Sequence, residues 1–337
     1  MDKLRILFNT EGNNYLGMGH IYECIRLGNK FKEKYNPEIL YLLSSDSKPG
    51  IKKIQEAGDE IKTVERDDFD SYIERIRKFN PNVVINDILY VKKEYMQRLS
   101  SLDSLIVNME HIKKPESLDY ADIIFNSLWP KNFDVKGKYY SGPSYVSLND
   151  SFRDLPTKKI NKECKNFFIC FGGSDTKGFT LKAIEALNKL NGITAIVLLG
   201  SSFNHYKGLE DLLKRVDGSK FIILNDVQDT APYMLKADIG LVSGGHTINE
   251  LAATGTPGIT LCQNEMEVGR AKLFADYYKM IHNLGDGTKL TTKELLNEIQ
   301  KFVNNYGLRK KISENGQKLQ DGKSSDRVVD IIMENLK

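Results

Sequence analysis

The sequence predicts an α/β protein built from two parallel-sheet domains, and three observations carry that prediction. Short apolar runs alternate with stretches of helical periodicity along nearly the whole chain, the pattern of strand–helix–strand crossovers. The alternation lapses once, from Asn132 to Lys165, and then begins again. Three glycine turns, Gly17-Met18-Gly19, Gly172-Gly173-Ser174 and Gly244-Gly245-His246-Thr247, each follow a strand and open a helix. At 337 residues the chain exceeds one ordinary core, which supports two domains. Such sheets hold ligands at the carboxyl ends of their strands, so a cleft between the domains is the expected site.

Taken in order, Leu4-Arg5-Ile6-Leu7-Phe8 reads as a buried strand. Ile21 to Tyr35 reads as a helix, with Ile21, Cys24, Ile25, Leu27, Gly28 and Phe31 at helical spacing. Strands are expected at Glu38 to Leu43, Glu60 to Val64, Pro81 to Asp87, Ser104 to Asn108 and Asp122 to Asn126. Helices are expected at Gly50 to Ala57, Phe69 to Phe79 and Lys92 to Ser100. The irregular stretch, punctuated by Gly137, Gly142, Pro143, Asn149, Asp150 and Pro156, reads as the interdomain crossing.

The second set has strands at Phe167 to Phe171, Thr194 to Leu199, Phe221 to Leu224, Ile239 to Val242 and Pro257 to Leu261. Its helices run from Thr180 to Leu190, Leu209 to Arg215, Ala231 to Ala237 and Ile248 to Thr254. Helices fill most of the remainder, ending with Leu308 to Gln320 and Ser324 to Leu336.

Composition excludes several classes. Apolar residues make up 40% and charged residues 28%, a globular balance. The net charge of +3, with acids and bases interspersed, leaves no electrostatic footprint for nucleic acid. The basic tracts Lys30 to Lys34, Lys158 to Lys165 and Arg309 to Lys311 read as solvated helix faces or linkers. No apolar run is long enough to span a membrane. The four cysteines show no metal spacing, and Cys24, Cys170 and Cys262 read as small core residues. Free thiols and an N-terminus leading straight into a strand point to a reducing cytoplasm.

Each glycine turn would expose backbone N–H groups at a helix start, where the dipole favours an anion. Together they point to a phosphorylated ligand, although none is a Walker loop or a full dinucleotide fingerprint. Glu250, six residues past Gly244, is placed either to accept from a ribose diol or to favour its helix start. Among the five histidines, His205 and His282 read as surface residues, and His111 follows a strand end. His246 is either a phosphate donor or a cap. His20 is the best general base, its unperturbed pKa of about 6.5 suiting proton transfer at neutral pH. Asp67-Asp68-Phe69-Asp70 reads as helix capping rather than a metal motif.

Read together, these residues resemble the UDP-sugar hydrolases of the pseudaminic-acid pathway and SpsG-type spore-coat polysaccharide proteins, relatives of the MurG glycosyltransferases. The resemblance covers most of the chain. It rests on Gly17-Met18-Gly19-His20…Cys24…Leu27-Gly28, on Gly142-Pro143-Ser144-Tyr145…Phe152, and on Phe171-Gly172-Gly173-Ser174-Asp175. A further block runs from Ala237-Asp238-Ile239 through Gly244, Gly245, Thr247, Glu250, Gly255 and Pro257 to Asn264.

What the resemblance implies is a GT-B fold with Rossmann-like domains at 1–150 and 151–337, and room for the last helices to cross back. It implies cleavage of a UDP-linked N-acetylated deoxyamino sugar by water, with His20 as the activating base and Asn264 assisting at the sugar. Glu250 would hold the ribose and the Gly244 turn, with His246 and Thr247, the diphosphate. Gly17, Gly19 and Asp87 would line the sugar side, with Gly172, Gly173 and Ser174 at the nucleotide. Tyr90 would replace the family's active-site tyrosine from a shifted position. No metal or cofactor is implied, since helix N-termini can stabilise the departing diphosphate.

The departures lie mostly in the first half. Glu23 stands where the family has Arg, and Asn86-Asp87-Ile88-Leu89-Tyr90 where it has an Asp-x-Tyr run. Asn108-Met109-Glu110 replaces paired acids, and Glu265 follows Asn264 in place of Gln. The same nucleotide half would also serve a glycosyltransferase, in which His20 deprotonates an acceptor hydroxyl, or a non-catalytic nucleotide-sugar binder.

Overall fold

The computed structural model describes residues 3–13, 18–88, 91–110, 117–127, 135–225, 227 and 229–336. The chain divides into two compact units, Met1–Leu148 with Lys323–Lys337, and Asn149–Gly322.

The first unit runs β1 (Arg5–Thr10), α1 (Gly19–Tyr35), β2 (Glu38–Ser44), α2 (Lys48–Glu56), β3 (Glu60–Val64), α3 (Phe69–Phe79), β4 (Val83–Asp87), α4 (Lys93–Leu99), β5 (Leu105–Glu110), β6 (Ile123–Asn126) and β7 (Lys138–Ser141). The strands form one parallel seven-stranded sheet in the order β3-β2-β1-β4-β5-β6-β7. Parallel strands need crossover helices, which cover both faces and leave the strands apolar on both sides. Ile6 and Phe8 of β1 accordingly join one core layer, with Ile21, Cys24, Leu27 and Phe31 of α1. Leu7 joins the other, with Tyr72 and Ile76 of α3 and Tyr95 and Met96 of α4.

α1 passes over β2 at Gly28, where a Cβ would come within 2.3 Å of Tyr41 Oη. That hydroxyl donates to the Cys24 carbonyl one turn earlier (3.3 Å).

The second unit runs β8 (Asn166–Cys170), α5 (Phe179–Leu187), β9 (Thr194–Leu199), α6 (Tyr206–Leu213), β10 (Phe221–Asn225), α7 (Ala231–Lys236), β11 (Ile239–Val242), α8 (Thr247–Thr254), β12 (Gly258–Cys262), α9 (Glu265–Asp276), β13 (His282–Asp286), α10 (Thr292–Asn304) and α11 (Tyr306–Leu319). Its parallel sheet has six strands in the order β10-β9-β8-β11-β12-β13. The last helix, α12 (Ser324–Glu334), belongs to the first unit, where Val328, Val329 and Ile332 pack in the same core layer as α1.

Several sequence expectations need correction. β7 lies inside the stretch read as an irregular crossing, and β13 in one read as helical. Both are short and only half-buried, so neither has a continuous apolar run to mark it. His282 is therefore a strand residue, stacked on Phe302 with centroids 5.2 Å apart. His205 bonds through Nε2 to the Asp175 carbonyl (2.9 Å) and is half-buried. The basic tracts are not all solvated either. Lys30 is buried against Glu33 (2.6 Å), and Lys158 donates to the Ala237 carbonyl past the end of α7 (2.7 Å). Arg309 is fully buried, its guanidinium donating to the Asn161 and Lys162 carbonyls (2.8 and 2.9 Å).

Candidate functional site

In an open parallel sheet the ligand crevice lies at the carboxyl ends of the strands where the winding reverses. In the first sheet that point falls between β1 and β4, and in the second between β8 and β11. Among the described residues, Gly19, His20 and Asp87 lie at the first point, and the Gly172 and Gly244 turns with Glu250 at the second, each within its own unit.

In the first unit, Asp87 ends β4 opposite Thr10 of β1. It is fully buried, and Oδ1 lies 2.6 Å from Nδ1 of His20, on the first turn of α1. The imidazole is 12% exposed. Burial disfavours its charged form, but the charge and hydrogen bond of Asp87, then the charges of Glu23 and Glu11, outweigh it and raise the pKa to about 9. Glu23, standing where the resembled family has Arg, is itself buried. The sequence expectation of an unperturbed histidine thus gives way to an imidazolium–carboxylate pair at neutral pH. With Nδ1 held by Asp87, Nε2 is the ring nitrogen turned away from that carboxylate.

Asp87, read from the sequence as a substrate contact, holds Nδ1 of His20 through Oδ1. Gly19 is the first residue of α1. Gly17, Tyr90 and His111 lie outside the described residues.

Beside this pair, the carboxyl ends of β1 and β2 border a cavity of about 100 Å³ lined by Asn9, Glu11, Arg66, Phe69, Tyr72 and Tyr95 among others. Arg66 is tied to Glu11 (3.1 Å) and Asp46 (2.9 Å), so the charges in its wall are paired. Tyr95 Oη bridges Asn9 and Asn86 (2.8 and 3.1 Å) beneath it. Aromatic faces, paired charges and amides suit a neutral hydroxylated ring better than a free anion. Sequence reading missed this lining. Asn9 and Asn86, polar residues ending two otherwise apolar strands, were the available signal.

In the second unit, Gly172 begins the turn after β8 with φ at +79°, a conformation that suits glycine. Gly173 is exposed and Ser174 half-buried, whereas Asp175 is buried, accepting from the Phe179 and Thr180 amides at the start of α5 (both 2.8 Å). Asp175 therefore caps, leaving Gly173 exposed and Gly172 and Ser174 half-buried. After β11, the Gly244 amide donates to Glu267 Oε2 (3.2 Å), which also accepts from Gln263 N (2.8 Å). The Gly244 amide of the expected anion turn is thus engaged by Glu267, and His246, the N-cap of α8, makes no side-chain capping bond.

Glu250 sits half-buried in the first turn of that helix. It lies near Cys170 at the end of β8, where burial first, and then the Glu250 and Asp175 charges, push the thiol to about 12. Asn264 is exposed and caps α9, its Oδ1 accepting from Glu267 N (2.9 Å). Among the described residues, no cluster of His, Cys, Asp or Glu is arranged to hold a metal ion, and no helix is long and apolar enough to cross a membrane.

No family model matches the chain. An uncharacterized protein of Methanocaldococcus jannaschii, MJ1062, is 32% identical over 292 residues, 82% of this chain but 59% of that protein. The spore coat polysaccharide biosynthesis protein SpsG of Bacillus subtilis is 26% identical over 335 residues, 96% of each chain. A UDP-2,4-diacetamido-2,4,6-trideoxy-beta-L-altropyranose hydrolase of Campylobacter jejuni is 24% identical over 269 residues, 73% of this chain and 87% of that one. Among solved structures, MurG of Acinetobacter baumannii superposes with a TM-score of 0.76 at 14% identity, covering 99% of this chain and 100% of that one. The calicheamicin glycosyltransferase CalG4 gives 0.66 at 12% identity, covering 99% and 98%. The chain has the GT-B fold of these proteins, two Rossmann-like units with parallel sheets.

Proposed function

We propose that this protein hydrolyses a UDP-linked N-acetylated deoxyamino sugar. The observation that carries the reading is the buried His20–Asp87 pair at the switch point of the first sheet. In the neutral form, His20 Nε2 takes a proton from water as the water oxygen attacks the anomeric carbon. The bond from that carbon to the diphosphate oxygen breaks, and its electron pair leaves with UDP. Within the second unit, the N-terminus of α8, at Gly245 to Thr247, is the candidate for holding the diphosphate, and Glu250 the candidate acceptor for the ribose hydroxyls. Support for water as nucleophile comes from the Campylobacter relative, a hydrolase by name. The SpsG relative supports a role in polysaccharide biosynthesis.

The test is incubation with UDP-linked diacetamido-trideoxy sugars and UDP-N-acetylglucosamine in 18O-water without an acceptor. UDP release with 18O in the freed sugar is the expected result. Turnover only when an acceptor hydroxyl is supplied would make the protein a glycosyltransferase using the same base. Binding of every donor without turnover would make it a nucleotide-sugar binder.

Asn264 has two roles to separate, as α9 cap and as sugar contact through its amide. Asn264→Ala should lower the free energy of unfolding by about 1 kcal/mol through loss of the cap. Asn264→Asp keeps the capping oxygen and should restore stability in urea melts while leaving turnover reduced. Full turnover in the Asp variant would confine Asn264 to capping.

A further inference from the structure

His20, Cys24 and Gly28 are spaced by four on α1 and so share one face of it. Cys24 is fully buried and its Sγ lies 3.5 Å from Asp87 Oδ2, while Oδ1 of the same carboxylate holds His20. One carboxylate at the end of β4 thus spans two successive turns of α1. The next turn is fixed as well, since the Cys24 carbonyl accepts from Tyr41 Oη and Gly28 closes on the same hydroxyl. Burial holds Cys24 in its S–H form, and the charge of Asp87 acts in the same direction, so the contact is a thiol donating to a carboxylate. A thiol is a weak donor. The thiol contacts Oδ2 while Oδ1 stays with the histidine.

We propose that Cys24 is a positioning residue for His20: its S–H bond to Asp87 fixes the carboxylate and sets how strongly that carboxylate draws on the imidazole. The inference rests on His20 being the base of the proposed reaction. The charged groups acting on the ring are Asp87, Glu23 and Glu11, and Cys24 is a neutral donor to the first of them.

The experiment is an NMR titration of the His20 ring protons, assigned by comparison with His20→Gln, in wild type and in Cys24→Ala, Cys24→Val and Cys24→Ser. Ala and Val lack the donor at smaller and larger volume, and both should move the His20 titration upward by about 0.5 pH unit or more. Ser keeps a donor and should leave the titration at or below the wild-type value. The acid limb of kcat/KM should move with it. The wild-type S–H stretching band provides a check needing no Cys24 variant, since it should shift in Asp87→Asn. Folded Ala, Val and Ser variants that all titrate as wild type, or an S–H band indifferent to Asp87→Asn, would overturn the proposal and leave Cys24 a space-filling residue. The titration is read without turnover, so a protein that proves not to hydrolyse UDP-sugars still decides the role of Cys24.

Discussion

Replacing His20 with Gln should lower kcat for UDP-sugar hydrolysis by about 10²- to 10⁴-fold, the usual range for losing a positioned general base. Gln is the informative choice because Asp87 is fully buried beneath the ring. Removing the donor at position 20 would leave the buried carboxylate without its cationic partner, a destabilisation of about 3–5 kcal/mol that would be mistaken for lost catalysis. A Gln amide still donates to Oδ1 but takes no proton from water. UDP affinity by calorimetry should stay within a few-fold of wild type, since the turn and Glu250 assigned to the nucleotide belong to the other unit. A folded His20→Gln protein with kcat within about three-fold of wild type would remove His20 from the chemistry.

The parts of the fold legible in the sequence were those where burial on both faces wrote a continuous apolar run. β1, β2, β4, β8 and β11 are of this kind, and the sequence places each within a residue or two of its observed span. β7 and β13 were missed because their side chains are half-buried, so neither run nor alternation distinguishes them from loop. The buried Lys30 and Arg309 were misread for a different reason. A charge run signals a solvated face unless partners far along the chain satisfy it: Lys30 lies 4.0 Å from Asp326, and Arg309 finds carbonyl acceptors 148 and 147 residues away.

The candidate site was legible as residue types but not as pairings. The sequence selected His20 and Asp87 separately, yet 67 positions part them, and only the parallel register of β1 and β4 brings them to 2.6 Å. The Gly172 and Gly244 turns were readable as tight βα connections, the kind of turn an anion cradle needs. That Glu267 occupies the Gly244 amide was not readable, since nothing in Glu265-Met266-Glu267 distinguishes a capping carboxylate from a solvated one. Asp175 was legible as part of a family motif, and its capping of α5 shows why an acid belongs there.

Asp87→Asn should both slow the reaction and change its pH dependence. In wild type the His20 pKa of about 9 leaves only a minor fraction of neutral base at pH 7, so kcat/KM should rise with unit slope and level off near pH 9. An Asn at 87 removes the charge that raises the imidazole, and burial then acts against the imidazolium. The acid limb should therefore move down by about 2 pH units or more. The Asn amide can also donate to Nδ1 and impose the wrong tautomer, a change that in a serine-protease triad lowers kcat about 10⁴-fold. Stability supplies an independent reading. A histidine raised from 6.5 to about 9 on folding contributes stability fully present below pH 6.5 and lost as pH rises toward 9. The loss is on the order of 3 kcal/mol. Lys158 works in the opposite direction, since burial lowers its ammonium to about 8 in the folded chain. The difference in unfolding free energy between wild type and Asp87→Asn cancels that contribution and should itself fall across pH 6.5 to 9. A difference that stays flat through this window would mean that His20 and Asp87 do not form the charged pair on which the proposed chemistry depends.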